Sequence, residues 1–337
     1  MSVSIKDVAL KAGVSIASVS RVLSGKPGVG AQTAERIKQV IDELGYRPNL
    51  GARGLVKKRK TGNIAVVVPR GSYILNNPFF STILDGIAKE LDETEFNMLM
   101  SFTSVQQQRL LETQAVDGAI LFSPRNEELS MDWLKSLAIP IIVVGSYLED
   151  SPFPCVRPDD EEGVCQSVTA LFDKGHRTIG LVNGPMSSMH SVRYYKGYER
   201  TLKRLGLTMN KELVFELDEF DGGGKVVEVV SQFLQGNQHM TGVVCSSDFL
   251  AIGVMKAAEN ANVSIPHDLS VVGADDVPIA SFLTPSLSSV HVDLVGMGRK
   301  AVSLLTQLLE GEQLEAMEHI SPMYYIDRGT TGTPKKM

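Results

Sequence analysis

The groups this chain gathers in one place for chemistry are cations. Lys6, Lys11, Arg21, Lys26, Arg36, Lys38, Arg47, Arg53, Lys57, Lys58, Arg59 and Lys60 stand in the first 60 positions against Asp7, Glu35, Asp42 and Glu43, a net +8. The whole chain carries −6, so the remainder carries −14. A basic head on an acidic body attracts phosphate at one end only, which is the footprint of a nucleic-acid-binding segment. Nothing comparable suggests catalysis. HExxH, GxGxxG and P-loop patterns are missing, and Gly222-Gly223-Gly224-Lys225 lacks the upstream glycine of a phosphate loop. Cys155, Cys165 and Cys245 are odd in number and widely spaced, without a CxxC pair, and read as reduced core or surface thiols; the six histidines are equally scattered. The expectation is a protein that is not an enzyme and uses no metal or other cofactor.

The elements that must carry the cations are short helices. Ile5, Val8, Ala9 and Ala12 recur at helical spacing, and Gly13 ends that helix. Ser15 can cap a second helix, in which Val19, Val22 and Leu23 turn inward and leave a short polar face. A third, Ala31 to Leu44, repeats the spacing with Ile37, Val40, Ile41 and Leu44 and stops at Gly45. Three such helices bury one shared core and free the second to enter a DNA major groove, as in a helix-turn-helix. Arg47-Pro48-Asn49 breaks the third helix. In the basic linker that follows, Gly51 and Gly54 each cost about 1 kcal/mol relative to Ala, so a helix there needs DNA to hold it. Leu55, an apolar residue in that polar stretch, suits either a minor-groove wedge or an incidental place in a solvated tether.

From Asn63 onward, apolar runs of strand length alternate with amphipathic stretches of helix length. The runs are Ile64–Val68, Met98–Phe102, Ala119–Phe122, Ile141–Val144, Ile179–Val182, Val243–Cys245 and Ser270–Val272. This alternation predicts parallel sheets covered by helices, in two lobes. Ligands of open parallel sheets sit off the carboxyl ends of the strands, so the crevice between lobes is the expected site. The 43% hydrophobic and 21% charged content is ordinary for a soluble protein. No segment reaches the ~18 uninterrupted apolar residues of a membrane span, and no apolar run precedes the head. A cytoplasmic protein with no membrane partner is expected.

Several motifs in order resemble the lactose and galactose repressor (LacI/GalR) family of bacterial transcription regulators, nearly end to end. In the head these are Ser4-Ile5-Lys6-Asp7-Val8-Ala9, Gly13-Val14-Ser15, Val19-Ser20-Arg21-Val22-Leu23 and Leu44-Gly45-Tyr46-Arg47-Pro48-Asn49. In the body they are Asn77-Pro78-Phe79-Phe80, Val116-Asp117-Gly118, Gly175-His176-Arg177, Ser270-Val271-Val272-Gly273 with Asp275-Asp276, Leu283-Thr284-Pro285 and Arg328-Gly329-Thr330. The resemblance implies an all-α helix-turn-helix head (1–46), a hinge (47–60) and an α/β two-lobed body (61–337) of the type I periplasmic-binding-protein kind with parallel sheets. It places the N-lobe at about 62–160 and 291–320 and the C-lobe at about 161–290 and 321–331. It further implies a homodimer on a near-palindromic double-stranded operator, with DNA affinity set by a small-molecule effector, expected to be a sugar.

Site residues carry over position by position. Ile16 and Ala17 fall on the main base-reading positions, followed by Ser18; both offer only apolar contacts, such as to a thymine methyl, which leaves Arg21 for guanine. Ser4, Ser15, Ser20 and Asn49 are placed for phosphates. Ala52, Arg53 and Leu55 belong to the hinge, with Leu55 on the minor-groove lever position. Effector candidates are Ser72, Tyr73, Asn77, Phe79, Arg193, Tyr194, Phe220, Ser247, Asp248 and Asp275, with Asp275 as the carboxylate that faces ligand hydroxyls. Two departures stand out. Tyr194 occupies the position of the family's ligand arginine, with Arg193 one residue earlier, and Ser247-Asp248 replaces the usual Asn-Asp. Repression of carbohydrate-utilisation genes is the expected function. An activator, or a regulator answering to another metabolite or a protein partner, would look similar in sequence. A sugar-processing enzyme or secreted sugar-binding protein could share the body but would not need the basic head.

Overall fold

The computed structural model describes residues 3–23, 27–46, 61–68, 77–102, 104–113, 115–125, 129–218, 224–236 and 239–335. Contacts divide the chain into two units, Met1–Thr61 and Gly62–Met337.

The first unit holds helices α1 (Ile5–Ala12), α2 (Ile16–Leu23) and α3 (Ala31–Leu44). Ser4 caps α1 through Asp7: its backbone N–H and its hydroxyl both donate to Asp7 Oδ2, at 2.8 and 2.7 Å. That bond from the Ser4 hydroxyl, with the backbone bond behind it, holds the Asp7 carboxyl below its ordinary pKa. Gly13 and Gly45 end α1 and α3 in the left-handed region, at φ 62° and 61°, where a side chain would be strained. The Ser15 hydroxyl accepts from the Ser18 N–H at 3.1 Å. Val8, Ala9, Ala12, Val19, Ile37 and Val40 are the buried centre, covered by Ile5, Val14, Val22, Leu23, Ile41 and Leu44 among others.

The second unit contains two parallel sheets. One has six strands in the order β11-β5-β4-β3-β1-β2, with β1 Asn63–Val67, β2 Asn97–Ser101, β3 Gly118–Phe122, β4 Ile141–Val144, β5 Cys155–Pro158 and β11 Glu318–Ser321. The other runs β7-β6-β8-β9, with β6 Ile179–Asn183, β7 Val214–Glu216, β8 Gly242–Cys245 and β9 Ser270–Val272. β1 and β2 begin one residue before their apolar runs, because Asn63 and Asn97 pair across the ladder and the Asn97 amide donates to the Gly62 carbonyl at 3.2 Å. An element outside the parallel pattern is an antiparallel pair, β10 (Ser289–Val292) with β12 (Met323–Ile326). The chain passes from the six-stranded to the four-stranded sheet after β5, returns through β10 to β11, and leaves the six-stranded sheet again through β12.

The helices that matter for the cleft are α4 (Pro78–Leu91), α7 (Asp160–Asp173), α8 (Met189–Arg204), α10 (Asp248–Asn260) and α11 (Leu294–Glu310); α5 (Ser104–Glu112), α6 (Met131–Ser136) and α9 (Gly224–Gly236) complete the covering. α4 and α11 cross at two glycines. A methyl on Gly86 would overlap the backbone of Val295, and one on Gly298 the backbone of Ile83 and Ile87. Helix propensity favours Gly298→Ala by up to about 1 kcal/mol, but backbone overlap cannot be relieved by a rotamer change. We therefore expect Gly298→Ala to destabilise the body by roughly 1–3 kcal/mol, read as a lower denaturation midpoint; an unchanged or raised midpoint would show that the helices can separate freely.

Candidate functional site

On the head, α2 turns Val19 fully into the core and leaves Ser15, Ile16, Ala17, Ser20 and Arg21 exposed. Ile16 is 45% exposed. Ser18 is half-buried, its hydroxyl 2.9 Å from that of Ser15. Ser4 is also exposed, its hydroxyl engaged with Asp7. Ile16, Ala17, Ser20 and Arg21 share one face at i, i+1, i+4 and i+5, where a groove-reading helix presents its contacts. Asn49, Ala52, Arg53 and Leu55 lie outside the described residues, as does the expected hinge.

In the body, a cleft opens at the carboxyl ends of both parallel sheets. Its walls are Asn77, Phe79 and Phe80 at the start of α4; Ser123, Gly145 and Ser146 after β3 and β4; Ser188 and His190 at the start of α8; Ser247 after β8; and Asp275 after β9. Asn77 caps α4 by accepting from the Phe79 N–H at 3.0 Å, and Phe79 meets Phe80 edge to face at 5.1 Å. Gly145, at φ 82°, lets the β4 turn approach the Phe79 ring and Ser123. Ser247 accepts from the Leu250 N–H at 3.2 Å, which caps α10.

The polar groups at this end of the cleft are titratable side chains, with His190 and Asp275 on its wall and Asp160 beside His190. His190 Nδ1 lies 2.7 Å from Asp160 Oδ1 and Nε2 2.7 Å from the Ser246 carbonyl oxygen. Burial alone would depress the imidazole, but the Asp160 carboxylate, with help from Asp275 and the Ser246 carbonyl, outweighs it and raises the pKa to about 9. Asp275 is 4% exposed and held at φ 99°, its N–H donating to the Val290 carbonyl at 2.9 Å. Its Oδ1 is buried without a hydrogen-bond partner. Burial, then the Asp248 carboxylate, pushes the Asp275 carboxyl well above its ordinary range, with His190 acting the other way. Among the described residues no group of three or more His, Cys, Asp or Glu could hold a metal ion, and no helix is long and apolar enough to cross a membrane.

Residues 4–49 match the model for bacterial regulatory proteins of the lacI family, and residues 168–331 match that for a periplasmic binding protein-like domain. Catabolite control protein A of Priestia megaterium is 31% identical over 324 residues, covering 94% of this chain and 95% of the relative. The chain belongs to the lacI family. As a member, it is a DNA-binding transcriptional regulator. Among solved structures, the Lac repressor dimer bound to operator and an anti-inducer is 25% identical with a TM-score of 0.87, over 98% of this chain and 100% of that one. A complex of the regulator CelR with cellobiose is 26% identical with a TM-score of 0.75, over 97% and 99%.

Against that family frame, the structure brings Asn77, Phe79, Ser247 and Asp275 together on the cleft wall, while Ser72, Tyr73 and Phe220 lie outside the described residues. Three candidates are not among the residues that line the cleft. Tyr194 is fully buried on the inner stripe of α8 and donates to the Cys245 carbonyl at 3.0 Å, so it packs behind the cleft. Arg193 has its guanidinium 4.7 Å from the centre of the Tyr147 ring and 3.7 and 3.8 Å from Glu161 and Glu318. Asp248 is fully buried, accepting from the Ser289 hydroxyl at 2.5 Å and the Val277 N–H at 2.8 Å, so it ties the C-lobe strand ends together. Sequence reasoning missed His190, Asp160, Ser188, Ser146 and Ser123. A signal was present for His190: it stands at a helix start just after a strand, where parallel sheets collect ligand groups.

The buried titratable groups predict a pH dependence. His190 has a folded pKa near 9 against 6.5 ordinarily, so its contribution to stability is complete below pH 6.5 and is lost as pH rises through about 9. Asp248 is raised by burial to about 7, partly offset by the Ser289 hydrogen bond; this disfavours its ionisation in the fold, so stability also falls as pH rises from 3.8 through 7. One proton gives a slope of at most about 1.4 kcal/mol per pH unit. The melting temperature should therefore fall from pH 6.5 to 9, and His190→Gln should flatten the alkaline half of that fall. An identical decline in the variant would remove His190 as its source.

Proposed function

We propose that this regulator is a homodimeric repressor of carbohydrate-utilisation genes, acting in the cytoplasm on a near-palindromic operator, with its DNA affinity set by a sugar held in the cleft. One observation carries the reading: a single chain combines an exposed reading face on α2 with a hydroxyl-rich, aromatic-walled cleft that contains a buried carboxylate. A gene regulator that senses a small molecule needs both. The operator-bound Lac repressor dimer and the cellobiose-bound CelR, which the whole chain resembles, support the assignment of partners. Ile16 and Ala17 take thymine methyls, Arg21 takes guanine, and Ser4, Ser15, Ser20 and Asn49 hold phosphates, with Ala52, Arg53 and Leu55 at the minor groove. Two-fold protein symmetry matches two half-sites.

The test is fluorescence anisotropy of the purified protein on palindromic DNA selected from a random pool, repeated with mono- and disaccharides and their phosphates. Selective binding that one sugar alters is expected; failure to select a palindrome would overturn the repressor reading. Arg21→Ala should cost about 1–3 kcal/mol on the selected site and relax the preference at one base pair. A uniform loss across all sequences would make Arg21 a phosphate contact instead. With six or more phosphates neutralised, affinity should drop roughly 10³-fold from 50 to 200 mM salt, and a flat response would exclude direct phosphate contact.

A further inference from the structure

Four carboxylates converge near the C-lobe strand ends, and three are satisfied within the protein. Asp160 Oδ1 takes His190; Asp248 takes the Ser289 hydroxyl and the Val277 N–H; Asp276 takes Arg328 at 2.6 Å and His291 at 3.0 Å. Asp275 faces the cleft with Oδ1 buried and without a partner. The cation beside it is already used. Both ring nitrogens of His190 face acceptors, a carboxylate oxygen and a carbonyl oxygen, so both are engaged within the protein and neither is left for a ligand. Arg193 lies on Tyr147 between Glu161 and Glu318, and Arg157 is bound to Glu318 and the Pro158 carbonyl.

A buried acceptor left unpaired costs about 1–3 kcal/mol, and a charged one more. The compensating hydrogen bond at Asp275 Oδ1 can come from a bound proton, from water or from the ligand. Ser146, Ser188 and Ser247 line the same cleft with hydroxyls and Phe79 supplies an apolar wall, which suits a hydroxylated ring. We propose that the effector is an amino sugar, with its ammonium group on the Asp275 carboxylate and its hydroxyls on the serines. This rests on the reading of the cleft as the effector site. Because burial and the neighbouring Asp248 and Asp160 carboxylates favour the neutral acid at Asp275, with His190 opposing them, the ammonium displaces a proton on binding. Affinity for the amine therefore rises with pH until the amine itself is deprotonated, while affinity for a neutral sugar has no such dependence through Asp275.

The experiment is calorimetric titration of the full-length protein with glucosamine, galactosamine and mannosamine, beside their neutral parents and the parents' 6-phosphates, in two buffers of different protonation enthalpy. A charge-assisted bond in place of a neutral one predicts that at least one amino sugar binds roughly tenfold tighter than its parent. Its binding should release up to one proton, and Asp275→Asn should erase the preference. A parent sugar that binds as tightly, a 6-phosphate that binds, or a preference that survives Asp275→Asn overturns the amine assignment and leaves the sugar-responsive reading in place. If no compound binds while the same sample binds its selected operator, the amine assignment and the sugar reading fall together, and the DNA-binding reading stands.

Discussion

The backbone at Asp275 and Asp276 passes through positive φ, 99° and then 52°, in the stretch between β9 and β10. Neither residue is glycine, so this conformation carries a conformational cost of order 1–3 kcal/mol per residue that the surroundings must hold in place. They do so on both sides. Gly273 N–H donates to the Ser288 carbonyl and Asp275 N–H to the Val290 carbonyl, both at 2.9 Å, which joins the end of β9 to β10. Asp276 N–H donates to the Ser289 hydroxyl at 3.2 Å, and the same hydroxyl donates to Asp248. With the backbone fixed in this way, two consecutive carboxylates point to different tasks: Asp275 lines the cleft, and Asp276 binds Arg328 and His291. The location of the cleft's acid, and hence what the cleft can bind, follows from this one turn.

Local chemistry made the head legible. Its helix bounds coincide with Gly13 and Gly45, where only a residue tolerant of positive φ fits, and with Ser15, whose hydroxyl has a nearby N–H to take. The strands of the body were legible for a related reason: strands buried on both faces read as continuous apolar runs, as β3 and β4 do. β11 and β12 have mixed burial and gave no such signal. The cleft was legible only in part. Phe79, Ser247 and Asp275 stand at element ends, where position along the chain predicts position in the fold. The His190–Asp160 pair joins residues 30 apart on two different helices, and no spacing rule connects them. Tyr194 and Arg193 differ by one place along α8, yet the helical stripe that contains Tyr198 buries one and leaves the other to Tyr147 and its acids. A position inherited from a family pattern cannot anticipate that exchange once the residue type has changed.

The opposite charges of head and body divide the work physically. A net +8 in the first 60 residues supplies the sequence-independent attraction to phosphate, while the −14 of the remainder opposes contact of the body with DNA. Specificity then rests with few groups. Ile16 and Ala17 can report only shape and methyl groups, and Arg21 is the guanidinium on that face.

Control of DNA by a ligand requires that the ligand distinguish two arrangements of the lobes, since equal affinity for both shifts nothing. The cleft satisfies the first condition for this, because its walls come from both sheets: Phe79, Ser123 and Ser146 from one, Ser188, His190, Ser247 and Asp275 from the other. The second condition is a link from the cleft to the segments that join the sheets. β10 and β12 are those segments on one side, and they are tied to the strained turn by Asp276: through Arg328, which also donates to the Leu287 carbonyl at 2.8 Å, and through His291, whose ring lies 4.7 Å from that of Tyr324. A ligand held by Asp275 is thus one peptide bond from the ionic contacts that brace the crossing. Because packed interiors shift between discrete arrangements and do not deform smoothly, a small change in the turn would be passed to that brace through Asp276 and its partners Arg328 and His291.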